Sequence, residues 1–254
     1  MKFIFKAINY FLYFKSFLQR KILVSNINKN DLVLDVGSGD KPFWRADVIV
    51  DKYLNDNQQR HSGSMVYDKN KIFIKADVEK LPFRDKVFDF VFCSHLLEHV
   101  ENPDKAIMEL TRVAKKGYIE VPASILEVFQ PFASHLWYCS YIDKTLIFRR
   151  KEKKNDFLID NIKEFGKNIF RNDIFQYLLN INQIFIRLYW KQNIKYKIIN
   201  SKNKDNVYIY KEISSLGTKS LLLKISYLIY LFFYKILVFL FYKKKHINIQ
   251  SLLK

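Results

Sequence analysis

The chain has 254 residues, 49% hydrophobic and 27% charged, with a formal net charge of +18. Such a composition excludes wholesale disorder, and the length holds one α/β domain with a real core plus appendages. Two cysteines, Cys93 and Cys139, exclude a disulfide framework and a thiolate zinc site, and a reducing cytosol is the expected compartment. The charge is uneven: residues 26–150 balance to zero, while residues 1–25 carry +5 and residues 151–254 carry +13. Basic flanks on a neutral centre suit an anionic partner, either a membrane surface or nucleic acid.

Residues 1–25 read as an amphipathic helix. Lys2, Lys6, Asn9, Ser16 and Arg20 share one polar stripe, with Lys15 outside it. Basic residues within the apolar stretch and the lack of a small-residue cleavage pattern argue against a signal peptide. An interfacial or core-covering helix fits better. Residues 26–150 form the principal domain, with short apolar strands at Leu32–Val36, Asp47–Val50, Lys71–Lys75, Val87–Cys93 and Gly117–Val121. A hairpin of Trp137–Ile142 and Thr145–Arg149 follows. Between the fourth and fifth strands Asn102 is placed to cap a helix, with Pro103 at its first position. Ala106, Ile107, Leu110, Val113 and Ala114 form its apolar stripe. Alternating strands and crossovers predict an α/β, mostly parallel Rossmann-like sheet.

Residues 151–219 read as a basic appended cap or substrate region, with a helical stretch near Asn172–Leu188 and a hairpin of Tyr196–Ile199 with Val207–Tyr210. Residues 220–254 read as a membrane-associating helix, apolar from 221 to 242 except for Lys224 and Lys235. Those lysines are about three turns apart and share a face. This favours a helix lying in the interface with its lysines reaching water, a single membrane span being the alternative.

The chemistry begins at DLVLDVGSGDKPFWRADVIVD, Asp31–Asp51. A strand running into Gly37-Ser38-Gly39 lets backbone approach a ligand closely. Asp35 precedes the turn, and Asp51, closing the next strand, is placed to accept hydrogen bonds from ribose hydroxyls. A dinucleotide site would need a third glycine and a helix start facing a pyrophosphate. Here Asp40 stands where phosphate would be repelled, so a nucleoside ligand without phosphates fits better.

The run KADVEKLPFRDKVFDFVFCSHLLEHVENPDKAIMELTRVAKKGYIEVP, Lys75–Pro122, resembles the type 11 branch of the class I S-adenosylmethionine-dependent methyltransferases. With the glycine motif, the resemblance covers roughly residues 31–150. It implies S-adenosylmethionine as cofactor, with Asp77 at the adenine amino group and Val78 beside it. It also implies that the loop Cys93–His95, with Ser94 and His95, lines the methionine moiety. Leu97–Val100 matches the family's LEHV element, and the hairpin matches the antiparallel end of the family's sheet. The first crossover is too short for the family's usual helix, so the N-terminal helix is expected to cover the sheet face. His95, Glu98 and His99 also match an inverted zinc-protease pattern, but this stretch leaves a core strand and soon reaches Pro103. Some relatives bind a divalent ion through an ExxEH element; here His95 replaces its first glutamate, and no metal is expected.

Methyl transfer to oxygen or nitrogen needs in-line positioning and removal of a proton. His99, His135 and Glu120 are the candidate bases, the histidines favoured because they titrate near neutrality. The resulting reading is a cytosolic methyltransferase, peripheral at an anionic membrane face, acting on a small or lipid-linked acceptor of a surface polysaccharide or glycolipid pathway. Nucleic-acid methylation is one alternative, and an inactive membrane-bound protein of this fold is another.

Overall fold

In the computed structural model, the structure describes residues 24–53, 66–129, 132, 134–152, 185–200 and 221–254. Five strands lie parallel: β1 (Val33–Val36), β2 (Val48–Asp51), β3 (Ile72–Lys75), β4 (Phe88–Ser94) and β5 (Ala114–Pro122). A sixth, β8 (Phe185–Lys191), pairs antiparallel with β5, giving the order β3-β2-β1-β4-β5-β8. The helix α1 (Pro103–Val113) crosses from β4 to β5, burying Ala106, Ile107, Leu110 and Val113. Asn102 stands at its N-cap but makes no side-chain cap. Its amide and backbone N–H both donate to Glu79, at 2.8 and 2.9 Å.

Two expectations are corrected at the sheet's end. The hairpin of β6 (Trp137–Ile142) and β7 (Thr145–Arg150) does not close the parallel sheet. It forms a second, three-stranded sheet with β9 (Tyr196–Ile199), which pairs parallel to β7. The closing antiparallel strand is β8, so the main sheet runs past the boundary expected at residue 150. Residues 185–188, expected to be helical, are extended because Phe185–Lys191 finds the free edge of β5 over seven paired positions. Tertiary pairing overrides local propensity here. β9 likewise pairs with β7, and the Val207–Tyr210 half of its expected hairpin lies outside the described residues, as do the helix of residues 1–23 and the helical stretch 172–184.

Side chains alternate across the sheet. On one face Leu34, Val36, Val48, Val50, Val91 and Cys93 join α1 in the larger core, with both cysteines free and buried. On the other, Val33, Ile49, Phe90, Phe92 and Tyr118 pack with Phe43 and Ala46 from the short β1–β2 connection. Over that connection lies α3 (Leu221–Phe241). Tyr230 donates from its hydroxyl to Pro42 O at 2.6 Å, and Phe241 meets the Trp44 ring edge-on at 6.4 Å. Thus a C-terminal helix covers the region over which the N-terminal helix was expected. The short helices α2 (Ser124–Phe129) and α4 (Ile249–Leu252) complete the described elements.

Candidate functional site

β1 ends at Val36, and the chain turns through Gly37 (φ 71°) and Gly39 (φ 57°), a region that glycine enters without strain. Gly37 N–H donates to Val50 O at 2.8 Å, and Gly39 N–H to Asp51 Oδ2 at 3.0 Å, tying the turn to β2. A Cβ on Gly37 would sit 2.8 Å from the δ-carbons of Leu96, so the loop after β4 rests directly on this turn. A Cβ on Gly39 would meet no described atom within 4 Å, so the backbone there lies open to a ligand. Ser38 is buried, and its Oγ has no partner among the described residues. Asp35 is buried and accepts the Phe43 N–H at 2.7 Å, which fixes the short crossover.

Asp51 also accepts the Tyr53 N–H at 2.8 Å. Beyond β3, Asp77 pairs with Lys52 at 2.8 Å and accepts the Glu79 N–H at 3.0 Å, with Val78 buried beside it. Burial pushes the Asp77 carboxyl up, but Lys52 and the backbone outweigh it and hold it below the usual range. The carboxyl ends of β1, β2 and β3 therefore bring together Asp35, Gly37, Ser38, Gly39, Asp51, Asp77 and Val78. Open glycine backbone, two anionic carboxylates and an unpartnered buried hydroxyl fit an adenosyl ligand bearing positive charge.

The β4 loop brings a second group. His95 takes φ 56°, a conformation costing roughly 1–2 kcal/mol outside glycine. Its N–H donates to Glu120 O at 2.8 Å, Nδ1 meets Glu98 Oε1 at 3.3 Å, and Nε2 meets Glu120 Oε1 at 3.1 Å. Burial lowers its pKa, yet these two carboxylates raise it on balance. Glu120 is fully buried and also accepts from Ser94 Oγ at 3.3 Å, Tyr118 Oη at 2.8 Å and Arg187 Nε at 2.8 Å.

Glu98, His99 and His135 form a third group. Glu98 is fully buried; Oε1 faces His95, while Oε2 has no hydrogen-bond partner among the described residues. His99 Nδ1 donates to Ser134 O at 3.0 Å, and its ring stands perpendicular to that of His135 at 4.5 Å between centroids. His135 Nδ1 bonds Glu127 Oε1, and the other Glu127 oxygen takes Lys151 Nζ at 2.5 Å. Burial pulls the His99 pKa down to about 4 against the opposing charge of Glu98. Glu98 is held at about 2, because His95 and the other imidazoles outweigh its burial. One donor atom each from Glu98, His99 and His135 lies within 4.8 Å of the others. Sequence reasoning paired His99 with Glu98 but missed Glu127, Lys151 and Arg187. The last two lie beyond residue 150, and nothing in their local sequence marks them.

Residues 49–119 match the family model described as a methyltransferase domain. The ubiquinone/menaquinone biosynthesis C-methyltransferases of Burkholderia mallei and Burkholderia thailandensis are 30% identical over 120 residues. The match covers 43% of this chain and 49% of theirs, so the chain spans about half the length of the curated relatives it matches. Among solved structures, an S-adenosylmethionine-dependent methyltransferase of Aquifex aeolicus aligns at 23% identity and a TM-score of 0.31, covering 39% of this chain and 60% of that one. The sequence match, together with the order and spacing of the motifs, makes the domain that these strands build similar to the type 11 branch of the class I S-adenosylmethionine-dependent methyltransferases.

Proposed function

We propose that this protein transfers a methyl group from S-adenosylmethionine to an oxygen or nitrogen of a small or lipid-linked acceptor at an anionic membrane face. The observation that carries the reading is the Gly37–Gly39 turn locked to Asp51, with Asp77 at the next strand end. Asp51 accepts the backbone N–H groups of Gly39 and Tyr53, which holds its carboxylate at the end of β2, and it is assigned to the ribose hydroxyls. Asp77 is assigned to the adenine amino group, with Val78 against the ring. Gly39 and Ser38 are assigned to the amino-acid end, together with Ser94 and His95. When bound, the cofactor supplies an electrophilic methyl group on a sulfonium. Calorimetry with S-adenosylmethionine tests this: saturable one-to-one binding, weakened at least tenfold in Asp51→Ala, is expected. Absence of binding to the unaltered chain sinks the cofactor assignment.

Of the three candidate bases, Glu120 is ringed by donors and is assigned to holding His95 and Arg187 in place. His99 and His135 engage Nδ1 in hydrogen bonds and keep Nε2 outside them. These are the basic atoms assigned to the acceptor side. His99→Ala and His135→Ala should each abolish turnover while retaining cofactor binding. Full activity in both variants excludes the assignment.

The acceptor atom has a second reading. The Burkholderia relatives are named as C-methyltransferases, and the 30% match to them favours carbon as the methylated atom. Carbon-13-labelled methyl donor distinguishes the readings, since methyl groups on carbon, nitrogen and oxygen give separate resonances. Nucleic-acid methylation has no specific observation in its favour.

The membrane part rests on the outward side of α3, which exposes Leu228, Ile229, Phe232, Phe239 and Leu240, with Lys235 among them and Lys243 and Lys244 just beyond. Among the described residues no helix is long and apolar enough to cross a membrane. An apolar stripe flanked by lysines suits a helix lying in the headgroup layer. Flotation with phosphatidylglycerol vesicles should recover the protein, and the triple change Leu228→Ser, Phe232→Ser, Phe239→Ser should abolish that recovery. Equal recovery of both would exclude this face as the anchor.

A further inference from the structure

We propose that Glu98, His99 and His135 form a binding site for a divalent transition-metal ion of the zinc class. This goes beyond the methyl-transfer reading and does not depend on it, since the ion would bind with no methyl donor present.

Three independent features converge. The first is composition and proximity: two imidazoles and one carboxylate offer donor atoms within 4.8 Å of one another. Bonds of about 2.0–2.2 Å to a tetrahedral ion bring donors to roughly 3.4 Å apart. Side-chain torsions supply that contraction, on the order of 1 Å.

The second is an orphaned anionic atom. Glu98 Oε2 is fully buried with no hydrogen-bond partner among the described residues. A buried carboxylate oxygen left unpaired carries an uncompensated desolvation penalty. An ion beside it removes that cost. Glu98 Oε1 meets His95 Nδ1 at 3.3 Å and lies 3.9 Å from His99 Nε2, which holds the carboxylate beside the histidine pair.

The third is the arrangement behind the histidines. A histidine that binds a metal through one ring nitrogen usually donates the other ring N–H to a carboxylate or backbone carbonyl. Both partners occur here: His99 Nδ1–H donates to the Ser134 carbonyl at 3.0 Å, and His135 Nδ1–H to the Glu127 carboxylate. Each bond fixes the tautomer that leaves a lone pair on Nε2. Lys151 and the Phe132 N–H in turn anchor the other oxygen of Glu127. The site is built from both ends of the domain: Glu98 and His99 from the loop after β4, His135 from the approach to β6.

Nitrogen donors with a single carboxylate select zinc, iron(II), cobalt or nickel over magnesium and calcium, which prefer all-oxygen shells. The ligand set also differs from a local sequence element, because His95 is bound to Glu98 and Glu120 and takes no part. Metal ligation and proton acceptance use the same Nε2 lone pairs, so a bound ion would hold both histidines back from acting as bases.

The test uses the full chain stripped with chelator and dialysed, without methyl donor. Titration with Zn2+ should show one site, and Co2+ should give visible absorption bands of a four- or five-coordinate ion. Mg2+ at millimolar concentration should displace neither. His135→Ala should weaken Zn2+ binding at least 100-fold, and Glu127→Gln roughly 10- to 100-fold through loss of the second hydrogen bond. His246→Ala, an exposed histidine near the C-terminus, should leave binding unchanged. Circular dichroism establishes that each variant is folded, and Glu98→Gln, nearly isosteric, replaces His135→Ala if the latter is not. No Zn2+ or Co2+ binding by the unaltered chain overturns the proposal, as does binding of equal strength in folded His135→Ala or Glu98→Gln. Failure of methyl-donor binding would leave this result intact, and failure here would leave the methyl-donor site intact.

Discussion

The two faces of the main sheet are covered by different means. One face packs against α1, the crossover that directly joins β4 to β5, through aliphatic side chains at helical spacing. The other is covered by Phe43 and Ala46 and then by α3, which lies more than 170 residues further along the chain. α3 and the segment that follows it dock through polar tips. Tyr230 donates to Pro42 O at 2.6 Å, Tyr242 to Asn70 O at 3.2 Å, and Lys245 to Asp47 Oδ2 at 2.8 Å. Lys71 lies 4.0 Å from the centroid of the Tyr242 ring. Aliphatic packing makes the first face strong and non-directional. Hydroxyl and ammonium contacts make the second directional: they fix which side of α3 turns inward and so leave its Phe and Leu side chains facing out.

That contrast can be broken at several places. Deleting residues 221–254 should do most damage, because it uncovers the second face and also removes Leu252, which is buried in the first core. Loss of cooperative thermal unfolding is expected, and an unchanged melting temperature would mean that α3 is an appendage. Leu110→Ala, on the locally covered face, should cost roughly 2–5 kcal/mol in denaturant unfolding through cavity formation. Tyr230→Phe, on the other face, should cost only about 1 kcal/mol while the Phe ring keeps its packing. If the two costs were equal, the distinction between the faces would fail.

The smallest effect concerns Lys71, buried under α3. Burial depresses its pKa to about 8, with Asp68, Asp47 and Asp35 opposing. Between pH 8 and about 10 the unfolded chain binds this proton more fully than the folded one, so the group's contribution to stability rises with pH. Lys71→Met should flatten that rise when melting temperatures are compared across the window. Parallel curves for the two proteins would show that the ammonium is not desolvated as described.

Much of the candidate cofactor site was legible, because its geometry is local. Gly37 and Gly39 sit on one turn, and Asp51 and Asp77 end successive strands, so strand periodicity and two glycines suffice to bring them to one edge. The buried partners of the histidines were not legible. His99 meets Ser134 and His135 only when the loop before β6 folds back over β4, and Arg187 reaches Glu120 only because β8 adds to β5. The hairpin was read correctly as two paired strands but assigned to the wrong sheet. Strand pattern specifies which residues alternate, whereas the neighbour a strand finds depends on which edges are free.

The sequence by itself therefore determined the strand–turn chemistry of residues 31–122, the neutral centre with its basic flanks, and the helix between β4 and β5. These follow from hydrophobic period, glycine conformation and charge, all properties of residues close together in the chain. Only the tertiary structure decided that β8 ends the sheet, that α3 covers the short crossover with an apolar side turned outward, and that His135 joins Glu98 and His99. Those outcomes depend on edge pairing, buried hydrogen bonds and uncompensated charge between segments distant in the chain, and such energies have no local sequence period.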